Sequence, residues 1–419
     1  MLHRLWELAR IFLRLGAVSF GGPAAYIVSM EQEAVGRRGW LKREHFLDLL
    51  AATYLIPGPN AVEMANHIGY QRAGLPGLIV AGAAFTLPAM LISLGLAWGY
   101  DRYEGLPQLG PLLHGIKPVV LGIMAAAIWR LGRAGWKNWR LAVIGLAVAA
   151  AELAGCDEVV TLLVGSLVGT FFLRWSQRGD GRCGQGGGGT VAAAAAIGTS
   201  STIPAALAIT AGAGAVPAVG AAAVSLWKLA LFFLKVGAVL YGGGYVLIAY
   251  LDGGLVHDYR WVTSEQLLDA VAVGQITPGP LLSTVTFVGY LIAGVPGAIV
   301  ATVAILIPSF VLVAAVNPWI PRLRRSRWVS LFLEAVVAAS IGLAAAVLIK
   351  LGQKTLLDPH TLWWPGTVWE VFIGLGRAAA IEWPAWLLAI AAAVVTLRWQ
   401  QVPAIILVLA GALAGGLIW

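Results

Sequence analysis

The apolar positions fall into long runs at about 76–99, 111–129, 141–155, 158–173, 191–216, 296–316, 328–349, 385–397 and 403–419. A bilayer crossing needs about 20 apolar residues, so each run predicts a helix near that length. Two further segments are apolar but interrupted. Residues 12–30, FLRLGAVSFGGPAAYIVSM, are broken at Phe20-Gly21-Gly22-Pro23. Residues 46–72 are broken at Pro57-Gly58-Pro59. Proline removes a backbone donor and glycine relaxes the helix, so the backbone opens at these points. Opened backbone at hydrocarbon depth survives only inside protein or beside a water-filled cavity. The pattern therefore predicts re-entrant hairpins or broken helices, with kinked crossing helices as the alternative.

The same interrupted unit occurs twice. Residues 233–251, FLKVGAVLYGGGYVLIAYL, repeat 12–30. Trp40 answers Trp261, Asp48 answers Asp269, and Pro57-Gly58-Pro59 answers Pro278-Gly279-Pro280. After a one-residue slip, Gly69, Gly74, Pro76 and Pro88 answer Gly289, Gly294, Pro296 and Pro308. Duplicated units with broken helices are a common plan of membrane transporters. The expected division is a first membrane repeat over 1–173, a glycine-rich linker over 174–190, an extra transmembrane helix over 191–220 and a second repeat over 221–419. The fold class is thus an all-α polytopic membrane protein with an inverted-topology repeat.

Composition narrows this further. Charged residues are 11% and apolar residues 59% of the 419. A soluble domain averages about 25% charged residues, so this chain belongs in lipid. The net charge of +8 raises nucleic acid as a partner. Most basic residues, however, flank apolar runs, which makes topology the better explanation. The basic-then-apolar N-terminus lacks a convincing cleavage site and reads as retained. Cys156 and Cys183 imply no disulfide framework.

Charge in equivalent loops tests orientation. Residues 31–45 hold four Lys or Arg and 252–265 one; 100–110 hold one and 317–327 four; 130–140 hold four and 350–360 two. The bias reverses each time, so the positive-inside rule turns the two halves upside down relative to each other. The N-terminus and linker are expected inside and the C-terminus outside.

Half-helix ends at mid-membrane expose N–H groups that bind anions. Gly21, Gly22, Gly242 and Gly243, with Ser19 beside the first break, are the candidate backbone site. Arg14 and Lys235 occupy equivalent places in the two copies, where a charge in an apolar run costs roughly 3 kcal/mol or more. Snorkelling to the interface is the structural alternative. Asn60, Thr277 and Thr284 are candidate donors beside the proline breaks. Glu33, Asp48 and Asp269 border the motifs as candidate protonatable groups, with an ion pair to Arg37 or Arg38 the simpler role for Glu33. Glu63 and His67 lie four apart on one helical face, have no counterpart in the second copy, and are further candidates for proton coupling, with a hydrogen bond to each other as the structural alternative. Pro23, Pro57, Gly58, Pro59, Pro278, Gly279 and Pro280 are the structural breaks. No enzyme motif or metal-ligand spacing is evident, so no cofactor is expected. The 18 Trp read as interface anchors.

FGGP at 20–23, Glu33 with Arg37-Arg38-Gly39-Trp40-Leu41, and PGPN at 57–60 resemble the first half of the chromate ion transporter family. YGGGY at 241–245, TPGP at 277–280 and FVGYLIAG at 287–294 resemble its second half. Tyr241 departs from the family's usual Phe, and 252–260 are poorer in charge. The resemblance implies a bacterial inner-membrane protein that exports chromate, driven by the membrane potential or protons, with sulfate as a similar tetrahedral dianion. An oxyanion channel, an intramembrane lipid enzyme and a scaffold or sensor subunit are the rival readings. A homodimer is a reasonable expectation.

Overall fold

The computed structural model describes residues 1–18, 23–54, 56–103, 109–136, 138–180, 224–241, 244–317, 326–356, 383–399 and 402–418. Among them the chain is all helical, without strands. The first repeat supplies α1 (Leu2–Val18), α2 (Pro23–Glu31), α3 (Arg43–Thr53), α4 (Asn60–Tyr103), α5 (Leu109–Gly135), α6 (Trp139–Leu153) and α7 (Glu158–Asp180). The second supplies α8 (Leu226–Val239), α9 (Gly244–Leu251), α10 (Ser264–Ile276), α11 (Ser283–Val316), α12 (Arg327–Leu356), α13 (Trp383–Arg398) and α14 (Ala404–Ile418). A π-helical turn follows both α2 (Gln32–Arg37) and α9 (Asp252–Asp258). The same order of elements therefore occurs twice. Five of the described helices are long and apolar enough to cross a bilayer: α4, α5, α7, α11 and α12. Helix α7 runs to Asp180, into the segment expected as linker. The expected helix at 191–220 lies outside the described residues.

The breaks fall where the glycines and prolines predict them. Helix α1 stops at Val18 and α2 starts at Pro23, a position where a missing N–H costs no helical bond. Between α3 and α4, Gly58 has φ 147°, and Gly279 has φ 98° in the second copy. A third break was not expected. Within α4, Ala73 and Gly74 leave the helix (Gly74 φ 67°, ψ −152°), and Ala293 and Gly294 repeat this within α11 (Gly294 φ 63°, ψ −153°). The chain turns back on itself there. A Cβ on Gly69 would stand against the Gly77 carbonyl oxygen, although eight residues of straight helix span about 12 Å. Likewise Thr286 and Thr302 share a hydroxyl hydrogen bond of 2.8 Å. Each of α4 and α11 is thus a hairpin of a short first arm and a long second arm.

Ion pairs tie one end of the first repeat together. Glu7 near the start of α1 pairs with Arg38 after the π turn and with Arg72 at the end of the first arm of α4. Glu31 pairs with Arg43 at the start of α3. Helices α1 and α3 therefore enter from this N-terminal end, and the chain returns to it after each break. The second arm of α4 leaves for the far end, α5 returns, α6 leaves again, and α7 begins at the far end. There Glu158 packs against Gly253 in the second π turn.

Helices are exchanged between the repeats. Helix α5 packs on α13 and α14 of the second repeat, and α12 packs on α6 and α7 of the first. Glycine permits both close approaches: a Cβ on Gly122 or Gly342 would sit against the carbonyl of Ala389 or Gly145. Small residues that let backbones meet are the usual adhesive between helices in lipid. Helix α12 runs alongside α6 in the same direction, with Gly342 beside Gly145 and Lys350 bonded to Glu152 at 2.8 Å. Along α5, Gly132 lies by Ile341 and Gly135 by Ile341 and Val337, the reverse order along α12, so α5 and α12 are antiparallel.

Candidate functional site

The breaks of the two repeats meet. The Gly58 N–H donates to the Leu240 carbonyl at 2.7 Å, immediately before the second glycine break. The Tyr26 hydroxyl donates to the Gly279 carbonyl at 2.5 Å, and Gly279 also lies against the Gly16 carbonyl. Each Pro-Gly-Pro break thus rests on the first helices of the other repeat. Pro57, Pro59, Pro278 and Pro280 are buried there. Pro23 opens α2. Ser19, Gly21, Gly22, Gly242 and Gly243 lie outside the described residues.

Polar side chains are concentrated on the first arm of α4 and its neighbours. Glu63, Asn66 and His67 are all 0% exposed. Among the described residues, neither Glu63 oxygen, neither polar atom of the Asn66 amide, nor His67 Nε2 has a hydrogen-bond partner. The Ser309 hydroxyl lies beside the Glu63 carboxylate and Gly58, short of good hydrogen-bond geometry. His67 Nδ1 meets Asn317 Nδ2 at 3.2 Å. In the second repeat, buried Thr284 has an unpartnered hydroxyl against Gly274. Thr277 is buried and donates to its own helix at the Val273 carbonyl. Asn60 is half-buried at the start of α4. Buried polar atoms are normally satisfied, so this concentration makes the first arm of α4 the candidate site.

The other expected residues lie elsewhere. Glu33 pairs with Arg37 at 2.7 Å and with Arg38 at 3.5 Å, the simpler role anticipated for it. Asp48 is half-buried on α3. Asp269 is buried, accepts from the Tyr100 hydroxyl at 2.9 Å and lies 3.9 Å from Lys117. Arg14 and Lys235 are both exposed, on helices whose Gly16 and Gly237 press on the backbones of Phe85 and Ile305. Arg14 lines a groove of about 670 Å³ between α1 and the returning chain, together with Arg10, Glu7, Glu33, Arg38 and Val18. Sequence reasoning missed Ser309, Asn317, Tyr26 and Arg10. Only Tyr26 carried a signal, since it lies inside the repeated motif.

Fold and site together define a multi-pass α-helical membrane protein whose two similar halves enclose polar groups at interrupted helices. The chromate transporter sequence profile matches residues 6–170 and 227–416. The chain belongs to the chromate transporter family. It is 32% identical over 364 residues to a probable chromate transport protein of Synechococcus elongatus, covering 86% of this chain and 87% of the relative. It is also 32% identical over 364 residues to a chromate transport protein of Cupriavidus metallidurans, covering 86% and 85%. A chromate transport protein of Pseudomonas aeruginosa is 28% identical over 409 residues, covering 97% and 91%. These names point to a transporter rather than an enzyme. No solved structure matches the chain.

Proposed function

We propose that this protein exports chromate across the bacterial inner membrane by alternating access between two oppositely oriented repeats. The observation that carries the reading is the mutual docking of the breaks, through Gly58 on Leu240 and Tyr26 on Gly279. Broken helices converging between repeats are where transporters hold substrate. The antiparallel course of the equivalent helices α5 and α12 supports the inverted arrangement. The N-terminal end carries Arg37, Arg38, Lys42, Arg43 and Arg72, which favours the cytoplasm for that end.

The dianion sits between the two glycine breaks, held by backbone N–H groups there and by Asn60 and Thr284, while Thr277 spends its hydroxyl hydrogen on its own helix. Arg14 and Lys235 draw it toward the breaks from outside. Rocking of one repeat against the other exposes the site alternately. Sulfate, of the same shape and charge, competes. Protons are the candidate coupling ion, and a homodimer is the proposed assembly. The test is anion flux in proteoliposomes, with chromate, sulfate and molybdate compared and the pH gradient and potential varied separately. Saturable chromate flux inhibited by sulfate is expected. Absence of chromate flux, or a current far above carrier rates, would overturn the reading.

A further inference from the structure

The two repeats match closely in backbone but not at the centre. Glu63, Asn66 and His67 of the first correspond to Ser283, Thr286 and Phe287 of the second. Thr286 is satisfied by Thr302, whereas among the described residues Glu63 and Asn66 have no hydrogen bond of good geometry, with Ser309 alone beside the carboxylate. Among the described residues, no Lys or Arg forms an ion pair with Glu63. An ionised carboxylate fully enclosed without a cation, and with only one hydroxyl beside it, is strongly disfavoured. A proton on the carboxylate removes that charge.

Among the described residues, a polar file leads to this carboxyl from the N-terminal end. His67 lies one helical turn beyond Glu63, toward the N-terminal end. Its Nδ1 meets Asn317 at 3.2 Å, and Gln71 Nε2 donates to Asn317 Oδ1 at 3.4 Å. Gln71 is exposed. Amides do not pass protons themselves, but water bound along such a line of polar groups does. Phe287 stands where the second repeat would need His67, so no equivalent file starts there. Among the described residues, the titratable groups facing this pair from neighbouring elements are His45 on α3 and Tyr241 after α8. Helix α11 contributes Ser309 and carries no charged residue.

We propose that Glu63 is the proton-binding site of the transport cycle, reached by water from the N-terminal end along Gln71, Asn317 and His67. This rests on the transport reading above. The carboxylate takes one proton from that water to become the neutral acid and returns it as the cycle proceeds. A carboxylate and a dianion in one small space repel each other. Protonation of Glu63 and binding of the anion therefore favour one another.

The test is proton uptake on binding. Purified full-length protein in weakly buffered detergent solution at pH 8 is mixed with chromate, with a pH indicator present. The wild type is expected to take up a proton only for the fraction of Glu63 ionised in the free protein, so uptake per bound chromate rises as the starting pH is raised and approaches at most one. Glu63→Gln is expected to bind chromate without proton uptake and with an affinity independent of pH. His67→Phe and Asn317→Leu are expected to keep the stoichiometry and slow the uptake severalfold. Chromate binding with equal uptake in Glu63→Gln overturns the proposal while leaving the transport reading intact. If Glu63→Gln does not fold, unaltered uptake rates in both file variants overturn the route. A wild type that binds no chromate overturns both readings.

Discussion

Replacing Lys350 with methionine tests the exchange of helices most directly. Lys350 on α12 donates to Glu152 on α6 at 2.8 Å, and their side chains are 18% and 1% exposed. This bond joins the two repeats. Methionine keeps the length of the side chain and removes its charge, leaving Glu152 enclosed and unpaired. Breaking a buried pair by removing one partner costs about 3–5 kcal/mol. Lys350 keeps some solvent, so the lower limit, about 3 kcal/mol, applies. Taking about 2.1 cal/mol/K per residue over 419 residues, that lowers the melting temperature by about 3 °C. The assay is thermal unfolding in detergent for Lys350→Met, Glu152→Gln and the double variant. The double variant is expected to recover most of the loss, because no charge is left stranded. If the two single effects simply add, or if Lys350→Met melts like the wild type, the pair does not join the repeats as described.

Other consequences are as specific. Gly342→Val puts a side chain against the Gly145 carbonyl, where a Cβ would lie 2.0 Å away; a loss of about 2–3 kcal/mol or more is expected, read as reduced yield of monodisperse protein. Cys156 is exposed in the turn between α6 and α7 at the far end. In a Cys183→Ser background it should react with a membrane-impermeant maleimide on intact cells, and labelling only after permeabilisation would reverse the proposed topology. Arg10 and Arg14 form no ion pair among the described residues of the groove beside α1. The double alanine variant should raise the KM for chromate with little change in kcat and flatten its salt dependence; an unchanged KM would remove both from anion capture.

Much of the helix plan was legible in the chain. The runs at 76–99, 111–129, 158–173 and 328–349 lie within α4, α5, α7 and α12, because a segment in lipid must be both apolar and helical. The interruptions at Pro57-Gly58-Pro59 and Pro278-Gly279-Pro280 were equally readable, since proline and glycine act locally. The turn at Ala73-Gly74 was missed although Gly74 and Pro76 recur as Gly294 and Pro296. A glycine followed closely by proline reads as a kink or as a full reversal, and only the meeting of Gly69 with Gly77 decides between them. The exchange of α5 and α12 left no local mark, because glycine faces show that a helix has a close neighbour without naming it. At the site, Glu63 and His67 stood out as charge-bearing residues in an apolar stretch. Ser309 and Asn317 look ordinary in sequence, and they matter only because α11 lays them beside α4.

The exchanged packing also dictates when the molecule can be completed. Gly122 waits for Ala389, which leaves the ribosome roughly 270 residues later. At about 5–20 residues per second, that is a delay of tens of seconds. Throughout it, the glycine face of α5 has only lipid or the insertion machinery for company. Synthesis halted after the first repeat would therefore leave that face open to the wrong neighbour.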